Sequence, residues 1–347
     1  MSKLWNVAVV GATGAVGEAM IEILEQRDFP VEELYPLASE RSAGKQVSFR
    51  GRDLRVGELA SFDFRRAHIG LFSAGASVSA EYAPKAAASG CVVVDNTSQF
   101  RYDADIPLIV PEVNLHALAR YGERGIIANP NCSTIQMVVA LNPIYKAAGI
   151  KRIIVSTFQA ASGAGRSAVD QLYSETKDIC SNLQAESLKL DQSRVSGRVL
   201  PQQIAFNVFP HLGGFGKCDY TNEEWKLVHE THKILHDPKI KISGTCVRVP
   251  VRTGHSESVY IETKKKISVA KIRSLLSKDK AIKLIDQPQN NLYPSPLDCE
   301  GRDEVFVGRI RKDPYLDNGI WLWVVSDNLR KGAALNAVQI AESLISQ

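Results

Sequence analysis

The sequence predicts an α/β fold in two domains, and three observations support this. The chain has 347 residues, more than a single hydrophobic core usually spans. Before residue 132, short apolar strands alternate with helical stretches, as in a doubly wound parallel sheet. After residue 132, β-branched and alternating segments become common, which is typical of an antiparallel or mixed sheet. We therefore expect a parallel-sheet domain followed by an α+β domain.

The individual elements follow from apolar periodicity and turn signals. In the first domain we predict strands at residues 4–10, 34–38, 68–72, 91–95 and 126–128, and helices at 18–26 and 79–88. In the second we predict strands at 151–160, 242–251, 257–263 and 320–325, and helices at 166–178, 222–236 and 269–276. A last helix with an apolar face is predicted at 333–346. The polar stretch 181–200 is predicted to be a surface excursion or an intersubunit element.

Composition limits the possible functions. The net charge is +4, from 42 basic and 38 acidic residues, which is too mild to indicate nucleic-acid binding. No apolar run is long enough to span a membrane, so no membrane partner is expected. The six cysteines form no CxxC pair, which favours a reduced, cytoplasmic protein.

Residues 11–17, with the sequence GATGAVG, follow a predicted strand and open a predicted helix. Glycines there permit a tight turn and a close approach of backbone to a pyrophosphate, which the N-terminus of the helix then holds. The spacing is GxxGxxG rather than GxGxxG, a variant common among NADP-using forms of the Rossmann-like fold. The motif predicts dinucleotide binding by Gly11, Thr13, Gly14, Ala15, Val16 and Gly17.

The end of the second predicted strand bears on which dinucleotide binds. An NAD-binding chain usually has Asp or Glu there, for the ribose hydroxyls. This chain instead has Ser39, Arg41 and Ser42, whose hydroxyl and guanidinium donors could hold a 2′-phosphate. Glu40 could take the ribose role and leaves NAD open as an alternative. We predict NADP.

Two further strand ends carry candidate ligand residues. Ser73, Ala74 and Gly75 are small, as expected where backbone passes close to a cofactor, although a simple turn is the alternative. Asn96 and Arg101 follow the next strand, and ligands bind at the carboxyl ends of parallel strands. Asn96 is therefore a candidate cofactor residue, and Arg101 is either an anion-binding residue or an ordinary surface arginine.

Cys132 lies in the sequence ANPNCST and is the most informative residue of the chain. Asn-Pro-Asn cannot continue a helix, so Asn131 is a predicted N-cap and Cys132 is predicted in the first turn of a buried helix. Backbone N–H groups and the helix dipole favour a thiolate there, lowering a pKa that is about 8.5 in free cysteine. A nucleophilic cysteine beside a dinucleotide motif indicates thioester-forming aldehyde chemistry, and a small buried thiol is the alternative.

The second domain supplies more candidates. Gln159 ends a strand and could orient a substrate carbonyl. The glycine-rich turn that follows contains Ser162 and Gly163 and could pack against a nicotinamide ring. Glu223 and Lys226 share a helical face and could hold an amine and a phosphate, or form only a surface ion pair.

Arg248 and His255 flank a short turn that contains a glycine. Arg248 offers a bidentate fork for a carboxylate. His255 has the pKa range to exchange a proton with a thiol or a hemithioacetal. Three other histidines share one helical face, but no cysteine or carboxylate is arranged to complete a metal site with them, so we expect no metal. They are His229, His232 and His236.

Together these segments resemble the aspartate-β-semialdehyde dehydrogenase family, in order and over nearly the whole chain. The matching segments are GATGAVG, LASERSAG, FSAGASVS, DNTSQFR, NPNCST, FQAASGAG, NEEWK, RVPVRTGHS and KGAALNAVQIAE. The resemblance implies NADP-dependent reductive dephosphorylation of L-aspartyl-4-phosphate to L-aspartate 4-semialdehyde, with release of phosphate. It also implies a place in the biosynthesis of lysine, threonine, methionine and isoleucine.

The resemblance implies a role for each candidate side chain. Cys132 would be the acylated nucleophile, His255 the acid/base, and Gln159 the residue that positions the reacting carbonyl. The remaining roles concern binding of the substrate and phosphate. Arg248 would bind the α-carboxylate, Glu223 the amino group, and Arg101 and Lys226 the phosphate. Arg252 lies outside the pattern.

The resemblance also implies the domain organisation. Residues 1–130 would bind NADP, and residues 131–330 would form a catalytic and dimerisation domain. The C-terminal helix, 331–347, would return to the first domain and place Gln339 near the nicotinamide carboxamide. The protein would be a homodimer.

Two other functions remain open. N-acetylglutamyl-phosphate reductase shares the general plan, but its substrate amine is acylated, so it has no use for Glu223. A redox sensor that binds NADP without turnover would use Cys132 as an oxidisable switch.

Overall fold

The computed structural model describes residues 3–181 and 199–346, and most of the 181–200 stretch lies outside them. The strands of the described residues are β1 (Trp5–Val10), β2 (Val31–Ala38), β3 (Gln46–Phe49), β4 (Arg52–Arg55), β5 (Gly57–Glu58), β6 (Ile69–Phe72), β7 (Val92–Asp95), β8 (Ile126–Ala128), β9 (Ile150–Gln159), β10 (Lys241–Arg248), β11 (His255–Thr263), β12 (Ile282–Leu284), β13 (Val305–Lys312) and β14 (Gly319–Ser326). The helices are α1 (Ala15–Gln26), α2 (Ala76–Ala88), α3 (Pro111–Asn114), α4 (Cys132–Ala148), α5 (Arg166–Ser181), α6 (Asn222–Leu235), α7 (Val269–Leu276), α8 (Pro296–Cys299) and α9 (Leu335–Ile345). No helix among these residues is long and apolar enough to cross a membrane.

The chain divides into two compact units. Unit 1 comprises Met1–Val138, His229–Asp237 and Leu329–Gln347, and unit 2 comprises Val139–Val228 and Pro238–Asn328. Helices α4 and α6 each contribute residues to both units.

Unit 1 is built on a six-stranded sheet in the order β5-β2-β1-β6-β7-β8. Every neighbouring pair in it is parallel. The chain moves outward from β1 to β2 and then returns to place β6 on the other side of β1. This reversal is the topological switch point at which doubly wound sheets bind ligands. The predicted parallel, doubly wound sheet is confirmed.

The core of unit 1 brings the two ends of the chain together. Apolar side chains of β1 pack with α1 and with α9, among them Val9, Met20 and Val338, none of which is accessible to solvent. Burial of such side chains contributes about 1.5–3 kcal/mol each. The C-terminal helix therefore packs in the core of the parallel-sheet unit, as predicted. It begins after a short π-helical turn at Arg330–Ala334.

Unit 2 is built on a mixed six-stranded sheet in the order β10-β9-β11-β14-β13-β12. The three central pairs, from β9 to β13, are antiparallel, and the outer pairs are parallel. The predicted mixed sheet is confirmed, but sequence analysis missed β12 and β13. In β13 the register shifts between Gly308 and Arg311, and Arg309 has a φ of 50°. This bulge breaks the alternation by which strands are recognised.

The turn between β1 and α1 requires glycine at two positions. Gly11 has a φ of 89°, in the left-handed region, and a Cβ there would lie 3.0 Å from the backbone of Ser73 and Ala74. A Cβ on Gly17 would lie only 2.2 Å from the carbonyl oxygen of Gly11. The turn, the helix and the β6–α2 connection are therefore packed backbone to backbone.

Gly17→Ala should lower the free energy of unfolding by about 1–3 kcal/mol, because the added methyl group must displace backbone rather than a side chain. Gly122→Ala is the matched control, since nothing lies within 4 Å of the added Cβ. Its effect should stay within about 0.5 kcal/mol. Urea denaturation of the three proteins measures both values, and equal stability of the two variants would contradict this account of the turn.

Candidate active site

Cys132 is the first residue of α4, and only three residues separate it from the end of β8. The side-chain oxygen of Asn131 accepts hydrogen bonds from the backbone N–H groups of Ser133 at 3.1 Å and Thr134 at 3.3 Å. Asn131 is thus the predicted N-cap, and Cys132 is in the first turn. Cys132 is partly exposed while Asn131, Ser133 and Thr134 are buried, so the thiol is the accessible group of this turn.

Arg101 is buried rather than on the surface, and Glu230 neutralises it. Its Nη1 lies 2.9 Å from one carboxylate oxygen of Glu230, and its Nη2 donates to the carbonyl oxygen of Asn96 at 3.0 Å. The second carboxylate oxygen of Glu230 accepts the backbone N–H of Asn131 at 2.6 Å. Glu230 therefore connects the candidate anion-binding arginine to the residue before Cys132.

Sequence analysis missed Glu230. Its partners are 129 and 99 residues away along the chain, so no local pattern joins them. One signal was available, because Glu230 lies seven residues after Glu223 and the two share a face of α6. Lys233 follows Lys226 at the same interval and donates to the carbonyl oxygens of Arg101, Asp103 and Ile106 at 2.7–2.9 Å.

The predicted cofactor residues of unit 1 follow four neighbouring parallel strands, β2, β1, β6 and β7. Helix α1 has Gly14 as its N-cap, with no side chain to cap the first turn. Ser39 and Arg41 are exposed after β2, whereas Ser42 is buried. These residues therefore lie at the same edge of the sheet, beyond the carboxyl ends of its strands. They are Gly11, Thr13, Gly14, Ala15, Val16, Gly17, Ser39, Arg41, Ser42, Ser73, Ala74, Gly75 and Asn96.

Gln339 belongs to a polar network in unit 1. Its oxygen accepts from the ammonium group of Lys331 at 2.7 Å, and its nitrogen donates to Glu112 at 3.1 Å. Lys331 is almost fully buried and also bonds both oxygens of Glu112, at 2.8 and 2.7 Å. The network fixes the Gln339 side chain within its own unit. Its predicted place near a nicotinamide carboxamide stays a prediction.

Three predicted residues of unit 2 converge at one end of its sheet. Gln159 ends β9, Arg248 ends β10, and these two are paired in register, while His255 begins β11. The peptide group of Ala160 holds two of them. Its N–H donates to Nδ1 of His255 at 3.1 Å, and its carbonyl oxygen accepts Nη1 of Arg248 at 2.5 Å.

His255 is fully buried, and burial lowers its pKa from 6.5 to about 3. This value is the net result of three effects: burial is the largest cause, the positive charge of Arg248 also lowers the pKa of His255, and the carboxylate of Glu223 raises it. His255 is therefore neutral near pH 7. Because Nδ1 accepts a backbone N–H, the neutral ring carries its proton on Nε2.

Glu223 and Lys226 form the predicted ion pair, but the prediction that it lies at the surface is wrong, because Glu223 is buried. One oxygen of Glu223 accepts from the amide nitrogen of Gln159 at 3.2 Å, and the other lies 3.0 Å from Lys226 Nζ. The adjacent Glu224 is also buried and forms a capping box with Thr221, which sequence analysis missed.

The glycine-rich turn after β9 packs against this cluster. A Cβ on Gly163 would lie 3.0 Å from Nε2 of His255 and 3.1 Å from Nη1 of Arg248. Ser162 is buried and exchanges hydrogen bonds with Asn328 at 3.0–3.2 Å. Only glycine leaves the His255 ring and the Arg248 guanidinium undisturbed at position 163.

The remaining candidates do not add to the site. Across residues 3–181 and 199–346, no three His, Cys, Asp or Glu side chains are grouped to hold a metal ion. The ring of His229 packs against Tyr102. Arg252, which lies outside the pattern of matching residues, forms an ion pair with Glu300.

Comparison with known proteins gives matches over nearly the whole chain. Residues 6–121 match the family model for the semialdehyde dehydrogenase NAD binding domain, and residues 141–331 match that for the semialdehyde dehydrogenase dimerisation domain. Aspartate-semialdehyde dehydrogenase of Aquifex aeolicus is 52% identical over 344 residues, covering 99% of this chain and 98% of that protein. The enzyme of Bacillus subtilis is also 52% identical, with the same coverage.

Solved structures agree with these matches. Aspartate semialdehyde dehydrogenase II of Vibrio cholerae, complexed with ASA, superposes with a TM-score of 0.94 at 50% identity, covering 100% of this chain and 99% of that one. Aspartate semialdehyde dehydrogenase of Candida albicans with NADP superposes with a TM-score of 0.74 at 27% identity, covering 99% and 98%.

The state of His255 predicts how stability depends on pH. Below pH 6.5 the unfolded chain protonates this histidine, while the folded chain keeps it neutral down to about pH 3. The histidine therefore contributes stability above pH 6.5 that is lost as the pH falls. Its share of the loss is up to about 1.4 kcal/mol per pH unit. In His255→Gln, the free energy of unfolding should fall less steeply between pH 6.5 and 4.

Urea denaturation at a series of pH values measures this slope. His236→Gln, at the exposed histidine that directly follows α6, is the control and should keep the wild-type slope. If the free energy of unfolding of His255→Gln fell with pH as steeply as that of the wild type, burial would not be holding this histidine neutral.

Proposed function

The chain belongs to the aspartate-semialdehyde dehydrogenase family, and from this we propose that it reduces L-aspartyl-4-phosphate to L-aspartate 4-semialdehyde with NADP, through a thioester on Cys132. The observation that carries the proposal is the position of Cys132 at the capped first turn of α4. The nicotinamide-binding fold of unit 1 supports oxidoreductase chemistry at that thiol. The biosynthesis of lysine, threonine, methionine and isoleucine is the proposed context, with the cytoplasm as the proposed location.

In the oxidative direction, the thiolate of Cys132 would add to the aldehyde carbon and form a hemithioacetal. Loss of hydride from that carbon leaves a thioester. Hydride acceptance is the chemistry that a nicotinamide supplies when bound. Phosphate would then attack the thioester carbon, break the C–S bond and return the thiolate. The biosynthetic direction reverses this order.

The proposed substrate carries an ammonium group and a carboxylate, and unit 2 offers a buried group of opposite charge for each. Glu223 would bind the ammonium group, and Arg248 would bind the carboxylate through its planar guanidinium. Gln159, held by Glu223, would position the reacting carbonyl. An acetylated amine carries no positive charge for the carboxylate of Glu223 to bind, which disfavours the N-acetylglutamyl-phosphate alternative.

His255 is proposed as the acid/base at the reacting oxygen. Because Nδ1 accepts the N–H of Ala160, Nε2–H would be the donor to the reacting oxygen and would stabilise the negative charge that develops on it. Gly163 lies beside that nitrogen and leaves space that any side chain would fill. Such catalysis typically contributes about 10²–10⁴-fold to the rate.

Arg101 and Lys226 are proposed to bind phosphate. Nε of Arg101 is buried and has no hydrogen-bond partner among the described residues. Such a donor supports binding of an anion, because an unsatisfied buried N–H is costly. Lys226 uses one ammonium donor on Glu223 and has three in total.

The residues of unit 1 fit a dinucleotide. The first turn of α1 presents backbone N–H groups that no side chain caps, which suits a pyrophosphate. Ser39 and Arg41 would hold the 2′-phosphate that distinguishes NADP from NAD, and Gln339 would lie near the carboxamide. A homodimer is proposed, since residues 141–331 match a dimerisation domain.

Wild-type protein should reduce NADP when L-aspartate 4-semialdehyde and phosphate are both present, and Cys132→Ala should be inactive because it cannot form the thioester. Spectrophotometry of NADPH measures the rate. Cys180→Ala, at an exposed thiol of α5, is the control and should retain full activity.

The same assay separates the alternatives. Faster turnover of N-acetylglutamate semialdehyde would replace the proposed substrate. Retention of turnover in Cys132→Ala would exclude the thioester. Absence of turnover in the wild type with both semialdehydes, together with NADP binding, would favour a redox sensor.

Arg41→Ala should raise the Michaelis constant for NADP about 10- to 100-fold, the equivalent of one charge-assisted hydrogen bond of about 1.5–3 kcal/mol. The Michaelis constant for NAD should change less than about twofold, because NAD has no 2′-phosphate for this guanidinium. Arg52→Ala, at an exposed arginine of β4, is the control. Equal changes for both cofactors in Arg41→Ala would reject the proposed 2′-phosphate contact.

A further inference from the structure

We propose that Glu230 is a positioning residue that fixes Arg101, and through it the attacking phosphate, relative to Cys132. The proposal rests on the proposed function, in which Arg101 binds phosphate and Cys132 carries the thioester. All the residues concerned belong to unit 1.

The two oxygens of Glu230 have separate partners. One accepts Nη1 of Arg101 at 2.9 Å, and the other accepts the backbone N–H of Asn131 at 2.6 Å. Asn131 is covalently joined to Cys132 and caps its helix. One carboxylate therefore connects the guanidinium to the start of α4 by two charge-assisted hydrogen bonds, which are about twice as strong as neutral ones.

This link is shielded from water. Glu230 is 0% exposed, Arg101 6% and Asn131 5%. An ion pair in such surroundings is weakly screened, and loss of one partner leaves an uncompensated charge. The contact is therefore not an exposed ion pair of negligible effect.

The guanidinium is held on a second side as well. Its Nη2 donates to the carbonyl oxygen of Asn96. The ammonium group of Lys233 donates to the backbone carbonyl oxygens of Arg101, Asp103 and Ile106 and so fixes this segment of backbone. With Nη1 and Nη2 each bonded to the protein, Nε is the nitrogen that has no partner among the described residues. Glu230 thus helps to determine where the Nε–H of Arg101 lies.

Glutamine cannot replace Glu230 at this position. Both neighbours of the carboxylate are donors, and glutamine has one accepting oxygen and one donating NH₂ group. In Glu230→Gln the NH₂ group must face either Arg101 or the N–H of Asn131, donor against donor. The link is broken on one side whichever way the amide turns, and the volume of the side chain is kept.

The test measures kcat/KM for phosphate in the oxidative reaction of the full-length protein. Glu230→Gln should lower it about 10- to 100-fold, as expected for loss of a charge-assisted contact, with the Michaelis constant for NADP changed less than about twofold. In an Arg101→Ala background the same substitution should add less than about twofold, because Glu230 acts through Arg101.

Glu175→Gln is the matched control. Glu175 is a buried carboxylate of unit 2 whose one oxygen accepts the backbone N–H groups of Ile204 at 2.7 Å and Ala205 at 3.0 Å. Its substitution should lower the melting temperature and leave kcat/KM for phosphate unchanged. If Glu230→Gln does not fold, Lys233→Met removes the neighbouring support without burying a new polar group and should lower the same constant at least threefold.

The outcomes separate the inference from the function. If Arg101→Ala lowers kcat/KM for phosphate and Glu230→Gln does not, the positioning role of Glu230 is overturned and the phosphate site stands. The positioning role would also be overturned if Glu230→Gln lowered kcat/KM for phosphate by the same factor in the wild type and in the Arg101→Ala background. An unchanged kcat/KM for phosphate in Arg101→Ala would reject the phosphate site, and the role of Glu230 with it.

Discussion

The capped first turn of α4 is the constraint on which the proposed chemistry depends. A helix start leaves backbone N–H groups without partners inside the helix. Here Asn131 satisfies two of them with its own side chain, and its backbone N–H is satisfied by Glu230. Cys132, between these contacts, is held at a site of positive potential by groups that leave its thiol accessible. The proposed nucleophile is thereby positioned by the protein's own contacts.

In unit 2, one peptide group, that of Ala160, fixes the positions of two proposed site residues. The N–H of Ala160 selects the tautomer of His255, and its carbonyl oxygen fixes Arg248. Backbone groups contribute these contacts, so the identity of residue 160 carries no trace of them in the sequence. Gly163 does leave a mark in the sequence, because any side chain there would lie too close to the His255 ring and the Arg248 guanidinium. Pre-organisation of this kind reduces the reorganisation needed during reaction.

The parts of the fold that depend on local patterns could be predicted. Both sheet classes, the last helix and the Asn131 cap follow from periodicity and from residues adjacent in sequence. The parts that depend on distant pairs could not. Glu230 meets Arg101 across 129 residues, and the pairing of Lys331 with Glu112 spans 219. Each of these charges also has the local appearance of an ordinary surface residue, because sequence shows charge but not burial.

Helix α6 shows what burial adds. Glu223, Glu224 and Glu230 are all buried, and each carboxylate oxygen among them receives a donor. Desolvation of a carboxylate demands this, because an unpaired buried charge costs several kcal/mol. The donors nevertheless differ. Those of Glu224 are backbone N–H groups, so it can only stabilise the fold, whereas Glu223 and Glu230 hold the side chains of Gln159 and Arg101. The identity of the donor therefore distinguishes Glu224, which binds only backbone, from the two carboxylates that bind side chains proposed to act in the reaction.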